Sequence, residues 1–352
     1  MPVGLLVKRR SLPARTRSES CKLIFELTNL CNFSCVHCIR DEDGPKQYLS
    51  LDVIEKVLRE AGAYRSFDLV VFTGGEPTVH PRFADIVERV AGHGYDYAFV
   101  TNGWHFDKVW RQIEPHQGRL RAVVFSLDGA HEETHDTLRR RPGSFRRVMQ
   151  AVSLCRFHGL SAHLNMVVTA ANLSEVQDMA LLAGRLGCEV LNYAHCQPTP
   201  DALAAGLVLS PKERRRVEAE IADLQELFQL EILLAGDHYQ ESLFYQCPQL
   251  QMRELNIDYR GYLTACCMLS NYRGGTADTD VVADLNRLSL FEAHRRLVAR
   301  FAELNAEKIG RLATLEATEA DHFICSHCLE HYQKLTEPEP TMPSAVVRIG
   351  TD

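Results

Sequence analysis

Residues 31–38 read Cys-Asn-Phe-Ser-Cys-Val-His-Cys and place the thiols of Cys31, Cys35 and Cys38 within eight positions. Three thiolates in such a tight loop can bind three irons of a four-iron cube and leave the fourth iron without a protein ligand. An open coordination position is where a metal centre does chemistry. The alternative is a zinc site with His37 as fourth ligand. This stretch, called the cysteine loop below, therefore predicts a metal centre.

The chain from residue 22 to about residue 194 alternates strand-like and helical patterns with a period of roughly thirty residues. The strand-like apolar runs are 22–27, 68–73, 96–101, 121–127, 162–168 and 188–193. Helical patterns cover 51–63, 81–92, 105–113, 144–158 and 174–186. Strands joined in this way are parallel, and their carboxyl ends carry the functional loops. The pattern therefore predicts an α/β fold with a parallel sheet.

Polar motifs follow four successive strands of this predicted sheet. The cysteine loop follows the first strand, and residues 73–77, Thr-Gly-Gly-Glu-Pro, end the second. Residues 101–103, Thr-Asn-Gly, end the third, and residues 126–129, Ser-Leu-Asp-Gly, end the fourth. Paired glycines let a backbone approach a ligand closely, and a carboxylate beside them can accept a hydrogen bond from an ammonium group. We therefore expect these motifs to form one site.

Over roughly residues 20–200, the motifs resemble those of the radical S-adenosylmethionine (SAM) superfamily, in particular the subfamily whose members carry extra Fe–S clusters. The resemblance implies a partial (β/α)6 TIM-like barrel. It also implies a 4Fe–4S cluster on Cys31, Cys35 and Cys38, whose open iron binds the amine and carboxylate of SAM. Reductive cleavage of SAM would then give methionine and a 5′-deoxyadenosyl radical that abstracts a hydrogen atom from the substrate.

The same resemblance implies which residues bind SAM. The Gly-Gly-Glu-Pro motif would hold the methionine amino group, Ser126 would touch SAM, and Arg139 would meet its carboxylate. Arg140 and Arg141 compete for that last role, and a solvated surface is the alternative for all three arginines. The expected set is His37, Gly74, Gly75, Glu76, Pro77, Asn102, Ser126, Asp128, Arg139, Asn165 and Asn192. Buried structural amides are the alternative for Asn165 and Asn192.

A second set of cysteines, called the auxiliary group below, consists of Cys247, Cys266, Cys267, Cys325 and Cys328. Its spacing resembles the opening of a SPASM domain, which carries auxiliary Fe–S clusters, in the shortened twitch form with one cluster. The resemblance implies a second 4Fe–4S cluster on Cys247, Cys266, Cys325 and Cys328. Cys267 competes with Cys266 as a ligand, and a structural zinc in a Cys₄ site is the alternative to the cluster.

Two further cysteines are candidate catalytic residues. In radical SAM epimerases a thiol returns a hydrogen atom to the substrate radical, and Cys267 and Cys196 could each do so. The alternative for either one is a buried apolar cysteine.

The bulk composition narrows the remaining choices. A formal charge of −7 argues against a general nucleic-acid binder, and no apolar run is long enough to cross a membrane. The twelve cysteines lie partly in tight local groups, and no signal peptide is evident, so we expect a cytoplasmic protein. The expected organisation is a flexible basic arm at 1–20, the barrel core at 21–200, a helical linker at 201–240, the auxiliary domain at 241–335 and a disordered tail at 336–352.

The sequence thus leads to the hypothesis of a radical SAM oxidoreductase that acts on a small metabolite or a peptide residue. The auxiliary cluster would accept an electron, and a flavodoxin- or ferredoxin-like protein would supply the first one. One alternative is an epimerase or a maturase that forms C–C or thioether bonds in a natural-product peptide. A non-catalytic metal-binding scaffold is the third hypothesis.

Overall fold

One mixed sheet organises the part of the chain that the computed structural model describes, which is residues 21–41, 44–64, 67–314 and 319–335. The predicted arm at 1–20 and tail at 336–352 lie outside these residues. The strands are β1 (Cys21–Glu26), β2 (Phe67–Thr73), β3 (Asp96–Thr101), β4 (Leu120–Ser126), β5 (Ala162–Val168), β6 (Val190–His195), β7 (Glu231–Ala235), β8 (Glu254–Ile257), β9 (Tyr262–Thr264) and β10 (Val281–Asp284).

The strand order is β10-β9-β8-β1-β2-β3-β4-β5-β6-β7. All neighbours from β8 to β7 pair in parallel, whereas β9 and β10 pair antiparallel. Because β1 to β7 all run parallel, their carboxyl ends lie along the same edge of the sheet, the one at which the strands end. That edge holds all four motifs.

Helices connect and cover the strands. They are α1 (Leu51–Ala61), α2 (Phe83–Gly92), α3 (Phe106–Ile113), α4 (Glu132–Arg139), α5 (Ser144–Phe157), α6 (Val176–Leu186), α7 (Pro200–Ala204), α8 (Pro211–Leu227), α9 (Leu290–Ala313) and α10 (Ile324–His331). The start of α8 is a capping box, in which the Ser210 hydroxyl accepts from the Glu213 N–H and the Glu213 carboxylate accepts from the Ser210 N–H. Within the described residues, none of these helices combines the length and apolar character needed to span a membrane.

The two faces of the sheet differ in burial. Along β5, Leu164 and Met166 are fully buried in the main hydrophobic core, whereas His163, Asn165 and Val167 are only half-buried. This period-two alternation puts one set of side chains against the helices and the other on the opposite, inner face. The polar inner positions near the carboxyl ends of the strands are therefore available to a ligand.

Three elements depart from the sequence-based expectation. The segment 201–240 is not a helical linker throughout, because it ends in β7, which pairs in parallel with β6. The short helix α4 follows the fourth motif, where no helix was predicted. Within the segment 241–335, β8 pairs in parallel with β1, so this part of the chain shares the sheet of the barrel core. Both strands are only four or five residues long, and the partner of β8 lies far away in the sequence.

Candidate active site

The cysteine loop folds tightly where β1 ends. The backbone N–H of Phe33 donates to Sγ of Cys31 at 3.4 Å, and the N–H of Cys38 donates to the carbonyl of Cys35 at 3.2 Å. Cys35 is buried, and Cys31 and Cys38 are partly buried. The loop therefore gathers its three thiols in one small, partly dehydrated region.

The environment of Cys31 and Cys35 opposes the ionisation of their thiols. Burial raises the pKa of the Cys31 thiol well above its ordinary value, and the negative charges of Glu76, Cys35 and Cys38 raise it further. Burial also raises the pKa of Cys35 to about 11, although the Arg139 guanidinium acts in the opposite direction. A bound metal centre offsets such repulsion, because coordinated thiols are held as thiolates. The donor set therefore fits an Fe–S cluster with three cysteine ligands.

The two glycines of the second motif pack against the backbone that leads into the cysteine loop. Gly74 has a φ of +123°, and a Cβ atom there would lie 2.4 Å from the carbonyl oxygen of Thr28. A Cβ atom on Gly75 would lie 2.2 Å from the carbonyl oxygen of Leu30. The N–H of Gly75 donates to that Thr28 carbonyl at 2.7 Å. The absence of side chains thus lets β2 approach the loop, a role that the motif alone did not reveal.

Glu76 is bonded to the protein itself. Its carboxylate accepts from the N–H and hydroxyl of Thr78, from the hydroxyl of Thr101 at 2.8 Å and from the N–H of Asn102 at 2.7 Å. Three of these hydrogen bonds reach Oε1 and one reaches Oε2, so the carboxylate joins the ends of β2 and β3. Its role in binding the amino group of SAM stays a prediction.

Asn102 extends this connection to the cysteine loop. Its Nδ2 donates to Oδ1 of Asn32 at 2.8 Å, and its Oδ1 accepts from the N–H of Trp104 at 3.0 Å. Pro77, the last residue of the second motif, is buried at the start of a short turn of 3₁₀ helix. Asn102 thus lies beside the loop and holds Asn32 in place, and the roles of Asn102 and Pro77 in binding SAM stay predictions.

Asp128 is the centre of a buried network on the other side of the loop. Its Oδ2 lies 3.0 Å from Nε2 of His37 and 2.5 Å from Nε of Arg139, and its Oδ1 accepts from the N–H of Val167 at 2.9 Å. Burial tends to raise the pKa of Asp128, but Arg139 and His37 outweigh it and lower that pKa. The carboxylate is therefore an anion that fixes His37 and Arg139, and it has no exposed surface for SAM.

The structure separates the three candidate arginines. Arg139 is largely buried, and its Nη1 lies 3.7 Å from Sγ of Cys35. Arg140 is exposed in a left-handed conformation, and the Arg141 guanidinium lies 4.3 Å from the centroid of the Trp104 ring. Of the three, only Arg139 reaches a thiol of the cysteine loop, and its role in binding the carboxylate of SAM stays a prediction.

His135 supports the same network and gives it a pH dependence. Its Nδ1 accepts from the N–H of Asp128 at 3.0 Å, which requires a neutral imidazole at that nitrogen. Burial, followed by the charge of Arg139, lowers the pKa of His135 from 6.5 to about 4. Between these values the unfolded chain binds a proton that the folded chain does not bind. The stabilisation is therefore complete above pH 6.5 and is lost as the pH falls towards 4.

We expect His135→Asn, whose amide oxygen can still accept from the Asp128 N–H, to remove this dependence. Between pH 7 and pH 4, the free energy of unfolding should fall by about 3 kcal/mol more in the wild-type protein than in the variant. Denaturant unfolding of the cluster-free chain at several pH values measures the difference. Identical pH profiles for the two proteins would show that His135 is not held neutral.

Ser126, Asn165 and Asn192 form one row across three neighbouring strands. Ser126 of β4 is the register partner of Asn165 of β5, which is the partner of Asn192 of β6. All three are half-buried, and their side chains make no hydrogen bond to the residues that the structure describes. Unpaired amides on an inner face fit ligand contacts better than structural roles. Their role in binding SAM stays a prediction.

The auxiliary group converges from three separate segments. Cys266 and Cys267 follow β9, Cys325 and Cys328 lie on α10, and Cys247 precedes β8. Burial raises the pKa of Cys325, and the charges of Asp237, Cys328, Cys247 and Cys267 raise it further. Within the described ranges, no three Cys, His, Asp or Glu side chains surround a point where a single metal ion could sit. The fold thus brings together thiols that are about eighty positions apart in the chain.

The competition between Cys266 and Cys267 stays open. The Cys266 thiol donates a hydrogen bond to Cys267, which raises the pKa of Cys266 and lowers that of Cys267. The negative charge of Cys247 raises the pKa of Cys266, and the charge of Cys267 raises that of Cys247. Both thiols thus lie near Cys247, and either one fits as the ligand.

A buried ion pair holds the helix that carries Cys325 and Cys328. Oδ1 of Asp237 accepts from the N–H of Cys325 at 2.9 Å, and its Oδ2 lies 2.7 Å from Nη1 of Arg214. A carboxylate at a helix N-terminus satisfies N–H groups that otherwise lack partners. Asp237 and Arg214 are therefore positioning residues for the auxiliary group. No sequence motif pointed to them, because 88 positions separate Asp237 from Cys325.

Cys196 does not share this environment. It is 1% exposed and packs with Leu138, Ala202 and Leu207 in a small hydrophobic cluster, and its thiol lies 3.7 Å from the Gln197 carbonyl. The structure thus favours a buried apolar cysteine over the expected hydrogen donor. Cys267, by contrast, is partly exposed.

Comparison with known proteins places this geometry in a class. Residues 25–183 match the family described as the radical SAM superfamily. The matched part of the chain contains all four motifs, so this region is similar to a radical SAM domain.

Two curated relatives illustrate the range of the class. The antilisterial bacteriocin subtilosin biosynthesis protein AlbA of Bacillus subtilis is 33% identical over 173 residues, which are 48% of this chain and 38% of AlbA. The AdoMet-dependent heme synthase of Methanosarcina barkeri is 25% identical over 258 residues, which are 72% of each chain. The chain therefore spans less than half the length of the first relative.

Among solved structures, Streptococcus suis SuiB bound to the precursor peptide SuiA superposes with a TM-score of 0.64 at 14% identity. The match covers 78% of this chain and 64% of SuiB. This similarity confirms the predicted α/β fold with a partial TIM-like barrel, together with the antiparallel C-terminal strands.

Proposed function

We propose that this protein is a radical SAM enzyme that oxidises a residue of a peptide substrate and uses two 4Fe–4S clusters. One observation carries the proposal. A loop with three thiols follows β1 at the carboxyl end of a parallel sheet, and a second cysteine group lies on the segments that flank β8 and β9 of the same sheet and on α10. When bound, the first cluster supplies the electron that cleaves SAM into methionine and a 5′-deoxyadenosyl radical.

The described side chains divide into ligands and supports in this proposal. Cys31, Cys35 and Cys38 hold the first cluster. The row on the inner face, which consists of Ser126, Asn165 and Asn192, contacts SAM. Supporting groups keep the loop in place from both sides: Gly74, Gly75, Glu76 and Asn102 follow β2 and β3, whereas Asp128, which follows β4, and Arg139 of α4 contact His37 and Cys35 of the loop.

The auxiliary group supports oxidation over the alternatives. Four cysteine ligands leave a cluster no open iron, and a fully ligated cluster suits electron transfer better than binding of a substrate. Loss of a proton from the substrate radical and transfer of one electron to this cluster would complete a two-electron oxidation. Cys267 stands beside the group as the candidate hydrogen donor if the reaction is instead an epimerisation.

A peptide substrate is supported by what two similar proteins do. AlbA serves the biosynthesis of a bacteriocin, and the SuiB structure contains a precursor peptide. A small metabolite is the second candidate, because the match to the heme synthase covers 72% of that relative. Incubation with peptide and metabolite candidates, read out as 5′-deoxyadenosine released in a substrate-dependent way, distinguishes the two.

The external reductant fits a positive surface beside the cysteine loop. The guanidinium groups of Arg141 and Arg147 lie 4.3 and 5.5 Å from the ring centroid of Trp104. The Trp104 ring packs edge to face against Phe33 of the cysteine loop, with 5.6 Å between the ring centroids. Positive patches of this kind steer acidic partners towards the site of reaction. We therefore propose that an acidic one-electron donor, either flavodoxin-like or ferredoxin-like, docks there.

Anaerobic reconstitution tests the proposal as a whole. We expect about eight irons per chain and 5′-deoxyadenosine after addition of SAM and a strong reductant. Cys325→Ala should lose about four irons and still cleave SAM. Zinc in place of iron, or no cleavage of SAM by a fully loaded protein, would leave the non-catalytic scaffold as the better account. Solvent deuterium at the product carbon would favour an epimerase over an oxidase.

A further inference from the structure

The two cysteine centres are joined by a strip of backbone. Residues 39–41, directly after the cysteine loop, pair with residues 271–273, which follow Cys266 and Cys267. Two backbone hydrogen bonds of 2.8 and 2.9 Å flank an antiparallel bridge between Arg40 and Tyr272. Because both loops are short and hydrogen-bonded to each other, a shift of one displaces the other.

The Arg40 side chain connects the same two loops inside the protein. It is 8% exposed, and its Nη2 lies 3.1 Å from Oε1 of Glu26 on β1. Its Nη1 donates to the carbonyl of Ser270, three positions after Cys267. Glu26 is also buried, and it accepts further hydrogen bonds from Asn256 at 2.9 Å and from the Ser270 hydroxyl at 3.0 Å. The ion pair is therefore held firmly from several sides.

This position puts one fixed positive charge near both sets of thiols. Arg40 is two positions after Cys38. Its guanidinium donates to the carbonyl of Ser270, and the N–H of Ser270 donates to the carbonyl of Cys266 at 3.1 Å. Charges interact more strongly in a buried setting than in water. A change in charge at either centre is thus felt by Arg40.

We propose that Arg40 is a positioning residue that couples the two centres, and that its charge raises the reduction potential of the auxiliary cluster. The inference rests on the proposed function, because it requires that both cysteine groups bind Fe–S clusters. A nearby cation stabilises the reduced, more negative state of a cluster, and the potential rises accordingly. Arg40 would thereby keep the auxiliary cluster ready to accept an electron.

Redox titration followed by electron paramagnetic resonance tests the proposal without any substrate. We expect Arg40→Met to lower the midpoint potential of the auxiliary cluster enough to change its one-electron equilibrium constant at least tenfold, which is about 59 mV. Glu26→Gln should shift the potential in the opposite direction, because it leaves the Arg40 charge without its anion. An effect of altered packing alone has no reason to reverse sign between these two variants.

Arg273→Met is the matched control. Arg273 belongs to the same strip, but its side chain pairs with Asp201 and is 19% exposed, so solvent screens its charge and we expect a smaller shift. If Arg40→Met does not fold, the direction of the Glu26→Gln shift decides. Unchanged potentials in loaded variants overturn the inference. A wild-type chain that binds no second cluster overturns the proposed function instead.

Discussion

Gly75→Ala is expected to reduce the cleavage of SAM about a hundredfold, although residue 75 carries no side chain that could touch SAM. A Cβ atom there would meet the Leu30 carbonyl at 2.2 Å, which is far inside van der Waals contact. The clash is with backbone and not with a flexible side chain, so the cysteine loop itself has to move. A misplacement of about 1 Å at a reacting centre commonly costs about a hundredfold in rate.

The measurement is 5′-deoxyadenosine released per iron bound, after anaerobic reconstitution. Overpacking of this kind also costs about 1–3 kcal/mol of folding free energy. Gly92→Ala is the matched control, because it lies at the end of α2 and a Cβ atom there has nothing within 4 Å. If Gly75→Ala cleaves SAM as fast as Gly92→Ala does, the close approach of β2 to the loop is not needed for the reaction.

Cys35→Ala is expected to abolish the formation of 5′-deoxyadenosine and to remove about four of the eight irons. The reason is that two cysteines cannot hold a cluster that leaves one iron open for SAM. Cys35 is also the thiol that Arg139 approaches at 3.7 Å, so its loss removes the contact between the loop and the Asp128 network. Iron analysis and the electron paramagnetic resonance signal of the remaining auxiliary cluster check the result.

Cys21→Ala serves as the control for this second prediction. Cys21 is partly buried and begins β1, but it lies outside both cysteine groups. We expect it to retain about eight irons and wild-type cleavage of SAM. A Cys35→Ala protein that still produces 5′-deoxyadenosine would contradict the assignment of the three cluster ligands.

Much of the fold could be predicted because its signals are local. Six of the parallel strands and five of the helices appear within a few residues of the expected positions, since apolar runs and helical periodicity are written in neighbouring residues. The capping box at Ser210 is a local signal of the same kind, because it spans only four consecutive positions. By contrast, β7 and β8 are only five and four residues long, and β8 becomes a strand by pairing with β1, far away in the sequence.

The motifs predicted where the site lies better than they predicted what each residue does. Glu76 and Asp128 were expected to bind SAM, and in the structure their carboxylates also accept hydrogen bonds from Thr101, Asn102 and Val167 of the protein itself. Gly74 and Gly75 were expected to admit a ligand, and in the structure they admit the backbone of Thr28 and Leu30, which leads into the cysteine loop. A residue type tells which bonds a side chain can make, but the folded neighbours determine which of them it does make.

By itself, the sequence determined the class of the protein, since the spacing of three cysteines in one loop already restricts the metal centre and the cofactor that it can bind. Only the tertiary structure decided how the two cysteine groups are related. Arg40 bonds to Ser270 and Glu26 bonds to Asn256, and the members of each pair are 230 positions apart in the sequence. Asp237 bonds to Cys325, which lies 88 positions further along the chain. Contacts at such separations depend on the packing of the whole sheet, and no local pattern encodes them.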